Sequence, residues 1–225
     1  MLSKLSLKKM FGLSPNVNIQ AHLPTEHHGS EYGGWTIQKD SLDKDSKIIS
    51  AGIGNDISFD LSVIAKYDCK IVGIDPTPRV TEWLNTQALP PNFSYLPIGL
   101  AGNEGETKFY MPLNPDHISH SQKPDSTDDT NFIIVPVVTI KNLLNRCNWK
   151  FIDLLKMDIE GFEYDVINDF LSGNIHIRQL LVEFHHGHYG FTNTDTVEAI
   201  NKLNESGYKI FSISSTGREI SFIKE

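Results

Sequence analysis

Two acidic side chains that could do chemistry, Asp158 and Glu160, stand two residues apart in this sequence. They follow the apolar run 151–155 and precede the amphipathic run 164–171. An apolar segment, an acidic turn and a helix follow one another in this order where an open α/β sheet presents polar groups at the carboxyl ends of its strands. Two carboxylates so close repel each other unless a cation, a hydrogen-bond donor or a proton is brought to them. The spacing predicts that this segment is part of a site.

A glycine-rich turn points to a nucleoside ligand. Residues 51–56 (AGIGND) stand where the first predicted strand turns into a helix, and glycines there let the backbone approach a ligand closely. Asp75 ends the second predicted strand, where a carboxylate can accept hydrogen bonds from both ribose hydroxyls of an adenosine. The candidate cofactor contacts are Ala51, Gly52, Gly54, Asp56 and Asp75.

The kind of cofactor follows from what this turn lacks. The dinucleotide fingerprint requires a third glycine three residues after Gly54, where Ile57 stands. Asp56 places a negative charge where a pyrophosphate needs a positive field. It suits a cofactor with an amino group and no phosphate, such as S-adenosylmethionine (SAM). Three alternatives stay open: a nicotinamide-dependent oxidoreductase, a non-catalytic adenosine-binding protein of the same fold, and a capped turn without a ligand.

Repeated strand–helix units must hold these residues in place. Apolar segments of strand length occupy residues 48–51, 70–75, 93–96, 151–157 and 177–184. Two alternating segments, 208–214 and 219–223, are joined by a short turn. This pattern is typical of a β-hairpin, so the last strand should run antiparallel to its neighbour. The order predicts an α/β fold with a mostly parallel sheet and helices on both faces.

We expect a single domain at residues 31–225 after an N-terminal arm at residues 1–30, because no linker or internal repeat interrupts the units. Asn55 or Asp56 is expected to cap the first helix of the domain. The polar stretch 117–131, which carries two histidines, is a long loop. Loops of this length often form lids or binding loops, and this one is expected to face the substrate.

Bulk composition excludes several classes of protein. The net charge of -8 argues against a general nucleic-acid binder. Two cysteines without a CxxC pair suggest a reducing compartment, and no apolar run approaches membrane-spanning length. The lysine-containing segment 1–13 lacks the continuous apolar core of a signal peptide. We expect a cytoplasmic protein whose arm is frayed or packs on its own domain, with peripheral membrane contact as the alternative.

Four segments, in order, resemble the FkbM-type SAM-dependent methyltransferases. They are residues 32–35 (YGGW), 50–60 (SAGIGNDISFD), 73–78 (GIDPTP) and 155–161 (LKMDIEG). The resemblance runs from about Glu31 to the end of the chain. The acidic run is its most specific segment, whereas a glycine-rich turn is common to many cofactor folds.

This resemblance implies a class I, Rossmann-like methyltransferase fold with a seven-stranded sheet and an antiparallel last strand. It implies methyl transfer from SAM, commonly to an oxygen of a sugar or another small natural product. We therefore expect a saccharide or glycolipid precursor as the acceptor. The resemblance also implies that Gly52, Gly54 and Asp75 contact the cofactor and that Asp158 lies beside the reacting centre. The fold alone would not imply this function.

An alcohol acceptor needs a base or a metal, because it holds its proton tightly. We expect His185 to be the general base, since the unperturbed pKa of imidazole lies near neutrality. Asp158 would then hold the acceptor or the amine of SAM. In a second mechanism a divalent cation, Mg²⁺ or Mn²⁺, binds Asp158, Glu160 and a residue of the run 183–185 and acidifies the hydroxyl. Spacing alone does not fix the metal ligands.

Structural roles are the alternative for the same residues. Asp158 or Glu160 would cap the helix that follows them. Glu183 would pair with Arg178 or Lys209, and the histidines after it would form a solvated loop.

Overall fold

The computed structural model describes residues 4–111, 120–124 and 130–224. Its α-helices are α1 (Lys4–Met10), α2 (Ser58–Tyr67), α3 (Pro78–Leu84), α4 (Ile140–Cys147), α5 (Glu163–Ser172) and α6 (Asn193–Glu205). Its strands are β1 (Thr25–His28), β2 (Trp35–Gln38), β3 (Lys47–Ala51), β4 (Lys70–Ile74), β5 (Phe93–Leu96), β6 (Gly99–Leu100), β7 (Gly105–Tyr110), β8 (Phe132–Val138), β9 (Ile152–Met157), β10 (Ile177–Glu183), β11 (Tyr208–Ile213) and β12 (Glu219–Lys224). None of these helices has the length and apolar character needed to cross a membrane.

Seven strands form the central sheet, in the order β11-β12-β10-β9-β3-β4-β5. β3, β4, β5, β9 and β10 run parallel to one another, whereas β12 runs antiparallel to both of its neighbours. The connection between β11 and β12 is too short for a crossover, which parallel pairing would require. The predicted seven-stranded, mostly parallel sheet with an antiparallel C-terminal strand is confirmed.

Helices cover both faces of this sheet, as predicted. Along β9, Leu154 belongs to the core beneath α2 and α3, whereas Leu155 and Met157 belong to the core beneath α4, α5 and α6. All three side chains are fully buried, and burying one such side chain stabilises a fold by about 1.5–3 kcal/mol. A strand that is buried on both faces carries apolar residues on both of its sides, which is why the apolar residues of β9 do not alternate with polar ones.

The sequence does not predict how the strands of the two smaller sheets pair. β1 pairs antiparallel with β2, while β8 pairs antiparallel with β7 and parallel with β6. β1, β2 and β6 have only two to four residues and carry little pattern of their own, so tertiary contacts decide their pairing. β1 lies in the predicted arm and pairs with β2, which lies in the predicted domain. The boundary between arm and domain at residue 30 stays a prediction.

The N-terminal segment packs on the C-terminal hairpin of the same chain. The Nζ atom of Lys8 donates a hydrogen bond to the backbone oxygen of Thr216 (3.0 Å). The backbone N–H groups of Gln20 and Ala21 both donate to the oxygen of Ile210, at 2.7 and 2.9 Å. These bonds join the beginning of the chain to β11 and to the turn that follows it.

The N-termini of α2 and α5 lack the side-chain caps that the sequence suggests. The N-cap of α2 is Ile57, which makes no side-chain cap, so the prediction that Asn55 or Asp56 is the cap is wrong in position. Asp56 instead accepts the N–H of Ser58, the first residue of the helix, at 2.8 Å. The N-cap of α5 is Phe162, again without a side-chain cap. The two acids of the turn before α5 therefore do not cap it.

Candidate active site

The register of the strands brings the predicted residues to one edge of the central sheet. Ala51, the last residue of β3, pairs with Ile74 of β4 and with Met157 of β9, and Met157 pairs with Val182 of β10. The residues that follow these four positions therefore lie side by side. They line a cleft of about 370 Å³ and are Gly52, Asp75, Asp158 and Glu183.

The turn after β3 packs directly on the turn after β9. Gly52 has a φ of +69°, and a Cβ atom there would lie 1.6 Å from the backbone oxygen of Asp158. The N–H of Asp158 donates to the oxygen of Ala51 (3.1 Å), and the Nζ of Lys156 donates to the oxygen of Gly52 (2.6 Å). Only glycine permits this backbone conformation together with so close an approach.

Gly54 and Asp75, both predicted cofactor contacts, are hydrogen-bonded to each other. One carboxylate oxygen of Asp75 accepts the N–H of Gly54 (3.1 Å), and the other accepts the N–H of Thr77 (2.9 Å). Burial raises the pKa of Asp75, although these bonds favour its charged form. The two residues thus form one wall of the cleft.

Asp56 ties the segment before β2 to the glycine turn. It accepts hydrogen bonds from the Oγ of Ser30 (2.7 Å) and from the N–H of Ser58. Burial pushes the pKa of Asp56 upward, but the hydrogen bonds from Ser58 and Ser30 outweigh burial and hold this pKa below its ordinary value. Asp56 lines the cleft and is ionised there, so it can receive an amino group.

Three carboxylates line the opposite part of the cleft: Asp158, Glu160 and Glu183. His185 lies behind them and is only 4% exposed. Its Nε2 atom is 3.1 Å from Oε2 of Glu160 and 3.8 Å from Oδ1 of Asp158. The fold therefore brings together the residues predicted to act on the acceptor, and His185 reaches the cleft through the two acids rather than directly.

Glu163 belongs to this cluster and is not predicted by the sequence. Its side chain is fully buried. Its carboxylate accepts the N–H of Gly161 (2.9 Å) and the backbone N–H of His185 (2.9 Å), and it lies 3.1 Å from Nδ1 of His185. Its place in the first turn of α5, where negative charge is favourable, is its one signal in the sequence.

Negative charge dominates this cluster. Partial burial, together with repulsion from Glu160 and against the pull of Lys156, raises the pKa of Asp158 to about 6. Burial, followed by repulsion from Asp158, raises the pKa of Glu183 to about 8. Burial acts to lower the pKa of His185, but Glu163 and Glu160 hold it well above its ordinary value. Such a cluster attracts protons or cations.

Three members of the cluster could together hold a metal ion. Asp158, Glu183 and His185 each offer one ligand atom, and these atoms lie within 4.8 Å of one another. Carboxylate and imidazole together suit a cation such as Mg²⁺ or Mn²⁺. Glu163 on Nδ1 provides the outer hydrogen bond that usually orients a metal-binding histidine. The predicted ligands included Glu160, which is not part of this group. Its carboxylate contacts Nε2 of His185 instead.

The described residues do not show the structural roles that were the alternative for Glu183, His185 and His186. Arg178 donates to the backbone oxygen of Ser41 (2.9 Å), and Glu183 forms no salt bridge within the described residues. His185 and His186 are buried rather than solvated.

The long loop contributes His120, which is buried and lines the cleft. Its other histidine, His117, lies outside the described residues. Tyr32 stands at the rim of the cleft and is 92% exposed, whereas Trp35 is part of the core.

A second unpredicted acid lies beneath the glycine turn. Asp60 on α2 is 2% exposed, and its Oδ1 has no hydrogen-bond partner among the described residues. Burial raises the pKa of Asp60 to about 6.

Solved structures share this fold. The fibrillarin pre-rRNA processing protein of Methanococcus jannaschii is 11% identical and has a TM-score of 0.51, covering 94% of this chain and 87% of that chain. An Aeropyrum pernix fibrillarin with natively bound SAM is 11% identical and has a TM-score of 0.44, covering 94% of this chain and 85% of that chain. An rRNA methylase of Streptococcus thermophilus is 11% identical and has a TM-score of 0.45, covering 82% of this chain and 90% of that chain. The fold is that of the class I SAM-dependent methyltransferases. At such identities the likeness concerns the fold alone.

The family is shown by a match to the whole central part of the chain. Residues 39–210 match the methyltransferase FkbM domain, and the chain belongs to this family. A comparison with curated proteins found no match. Family and fold together make the protein a SAM-dependent methyltransferase, which confirms the resemblance to this family. Three of the four segments lie within the matched residues, and residues 32–35 lie before them.

Proposed function

We propose that this methyltransferase acts on a hydroxyl oxygen of a small molecule, with a saccharide or glycolipid precursor as the expected acceptor. The observation that carries the proposal is the place of Asp158, which lies between the Gly52 turn and the Glu183 end of the cleft with its side chain one-third exposed (33%). A carboxylate at this point can hold a hydroxyl group and receive its proton. Cys69 and Cys147 are both free thiols, which supports a cytoplasmic location.

The residues of the glycine turn fit SAM. Ala51, Gly52 and Gly54 bring backbone to the cleft, and the carboxylate of Asp75 has further lone pairs for ribose hydroxyls. The ionised carboxylate of Asp56 suits the amino group of the cofactor. When bound, SAM supplies a methyl group attached to a sulfonium leaving group.

A proton from the acceptor has a defined route in this proposal. It passes to Asp158, whose raised pKa suits it to receive a proton, and leaves from there to water. His185, whose pKa is held well above its ordinary value, is charged and stabilises the two acids, so its role as the base stays a prediction. Glu163 holds Nδ1 on the far side of the ring, so that Nε2 is turned toward the two acids at the cleft.

A divalent cation is the second proposal for activating the hydroxyl. Asp158, Glu183 and His185 would hold it, and its charge would lower the pKa of the hydroxyl. Turnover that stops in a chelator and returns with Mg²⁺ or Mn²⁺ would favour this route, whereas turnover that is unchanged in a chelator would favour the proton route.

The function is tested by ligand-dependent stability and then by turnover. SAM and S-adenosylhomocysteine should raise the melting temperature and NAD should not, since a ligand at 100 times its Kd stabilises the native state by about 2.7 kcal/mol. With SAM carrying a deuterated methyl group, a panel of sugars and glycolipid precursors should show the corresponding mass gain. Asp158→Asn should lower turnover by about 100-fold or more. Asp153→Asn, at the other end of β9, is the matched control.

Three results would contradict the proposal. Stabilisation by NAD and not by S-adenosylhomocysteine would point to hydride transfer. Binding of SAM without methylation of any hydroxyl would point to a non-catalytic protein, and methylation of an amine would overturn the choice of oxygen.

A further inference from the structure

Lys156 stands apart from every other residue of the cleft by its charge. Seven of the residues that line the cleft carry a carboxylate, and among the described lining residues Lys156 is the single lysine or arginine. It is only 6% exposed. A buried ammonium group is unfavourable unless an anion or several acceptors compensate it.

This ammonium group is only partly satisfied within the described chain. It donates one hydrogen bond, to the backbone oxygen of Gly52 at 2.6 Å, and lies 5.7 Å from the centre of the Trp35 ring. An ammonium has three N–H donors. No described carboxylate, Asp60 included, forms a salt bridge with it. The group therefore has donors left for an anion that enters the cleft beside Gly52.

The cofactor of the proposed function brings one anionic group. SAM carries a positive sulfonium, a positive amine and a negative carboxylate. The acids that line the cleft suit the two positive groups, and Lys156 is the described side chain that suits the negative one. We propose that Lys156 binds the methionyl carboxylate of SAM, and this inference rests on the proposed function.

Two cofactors that differ in one group test this assignment. Decarboxylated SAM keeps the sulfonium and the amine but lacks the carboxylate. By titration calorimetry the wild type should bind it about 10- to 100-fold more weakly than SAM, the range expected for one charge-assisted hydrogen bond. Lys156→Met should bind both ligands with about the same affinity as the wild type has for decarboxylated SAM. Lys156→Arg, which keeps the charge, should still prefer SAM.

Controls separate a direct contact from a role in shaping the turn. Methylthioadenosine, which lacks the whole amino-acid part, should bind the wild type and Lys156→Met equally. Lys70→Met, at an exposed position at the start of β4, makes the same substitution away from the cleft and should change no affinity. If Lys156→Met does not fold, Lys156→Gln takes its place, because its amide still donates to Gly52.

The outcomes are distinct. Lys156→Met that weakens both cofactors and methylthioadenosine to the same degree would show that Lys156 acts only through the Gly52 turn, which overturns the inference. An unchanged preference for SAM in that variant would overturn it as well. A folded wild type that binds none of these ligands would instead overturn the proposed function itself.

Discussion

At the scale of single residues, the site is a region of buried charge that the chain only partly compensates. Lys156 and Asp60 are both buried beneath the glycine turn, yet no salt bridge joins them. One oxygen of Asp60 has no hydrogen-bond partner among the described residues, so ionising this side chain inside the protein is unfavourable. Binding sites often retain such groups at a cost to stability, because a ligand completes their interactions.

Replacing Asp60 with asparagine should make the protein less sensitive to rising pH. The pKa of Asp60 is raised by burial from 3.8 to about 6, against the pull of Lys156 and Ser50. The folded state therefore binds the proton more tightly, and the wild type loses stability as pH rises from about 4 to about 6. The free energy of unfolding of Asp60→Asn relative to the wild type should increase by roughly 2 kcal/mol across this window.

Urea denaturation at pH 4 and pH 7 measures this difference. The exposed Asp45→Asn is the matched control and should show no such change between the two pH values. A difference between Asp60→Asn and the wild type that is the same at both pH values would contradict the shifted pKa.

At the scale of elements, the site depends on two turns that touch through their backbones. The turn after β3 and the turn after β9 meet where Gly52 contacts the carbonyl of Asp158. The parallel register of β3 and β9 fixes the position of one turn relative to the other. The Nζ atom of Lys156 also donates a hydrogen bond to the backbone oxygen of Gly52 in the first turn. Cofactor residues and acceptor residues are thus positioned by one contact.

Gly52→Ala should destabilise the protein far more than an alanine at another glycine with positive φ. The added methyl group would overlap backbone atoms, which cannot move aside as a flexible side chain does, so we expect a loss of about 3 kcal/mol or more. Gly190→Ala is the matched control, because Gly190 has a φ of +76° and nothing within 4 Å of its added Cβ. It should lose only about 1–2 kcal/mol. Equal losses in urea denaturation would show that strain in φ, and not the contact with Asp158, governs Gly52.

At the scale of the whole molecule, the two ends of the chain meet beside the cleft. α1 and the residues after it pack on the hairpin of β11 and β12, whose turn contributes Thr216 to the cleft wall. The side chain of Asn193 adds a bond to the backbone oxygen of Gly12 (2.7 Å). The N-terminal segment therefore supports one wall of the site from outside.

Removing residues 1–18 should loosen this hairpin while the central strands stay protected. The deletion removes the bonds made by Lys8 and Gly12 and the packing of Ser14 on Gly217. Amide hydrogen exchange should become faster at residues 208–218 and unchanged in β3 and β9, since local opening follows local contacts. Circular dichroism checks that the shortened chain is folded. Exchange that becomes faster throughout the chain, or that does not change at residues 208–218, would contradict a local role of the N-terminal segment.

The sequence by itself determines the order of the elements, the fold class and the strand ends that carry the site. Strand and helix patterns are local, and the glycine turn and the acids at 75 and 158 follow strands that can be recognised by their apolar runs. The family resemblance rests on the same short segments. These features need only residues that are close in the chain.

The tertiary structure decides what those strand ends touch. Only the register of four strands places Gly52, Asp75, Asp158 and Glu183 side by side. Only packing brings Glu163 to His185, puts that histidine behind the acids and aims Lys156 at the Gly52 carbonyl. These contacts join positions 22 to 104 residues apart, and no local pattern encodes them, because side-chain direction and burial depend on the whole fold.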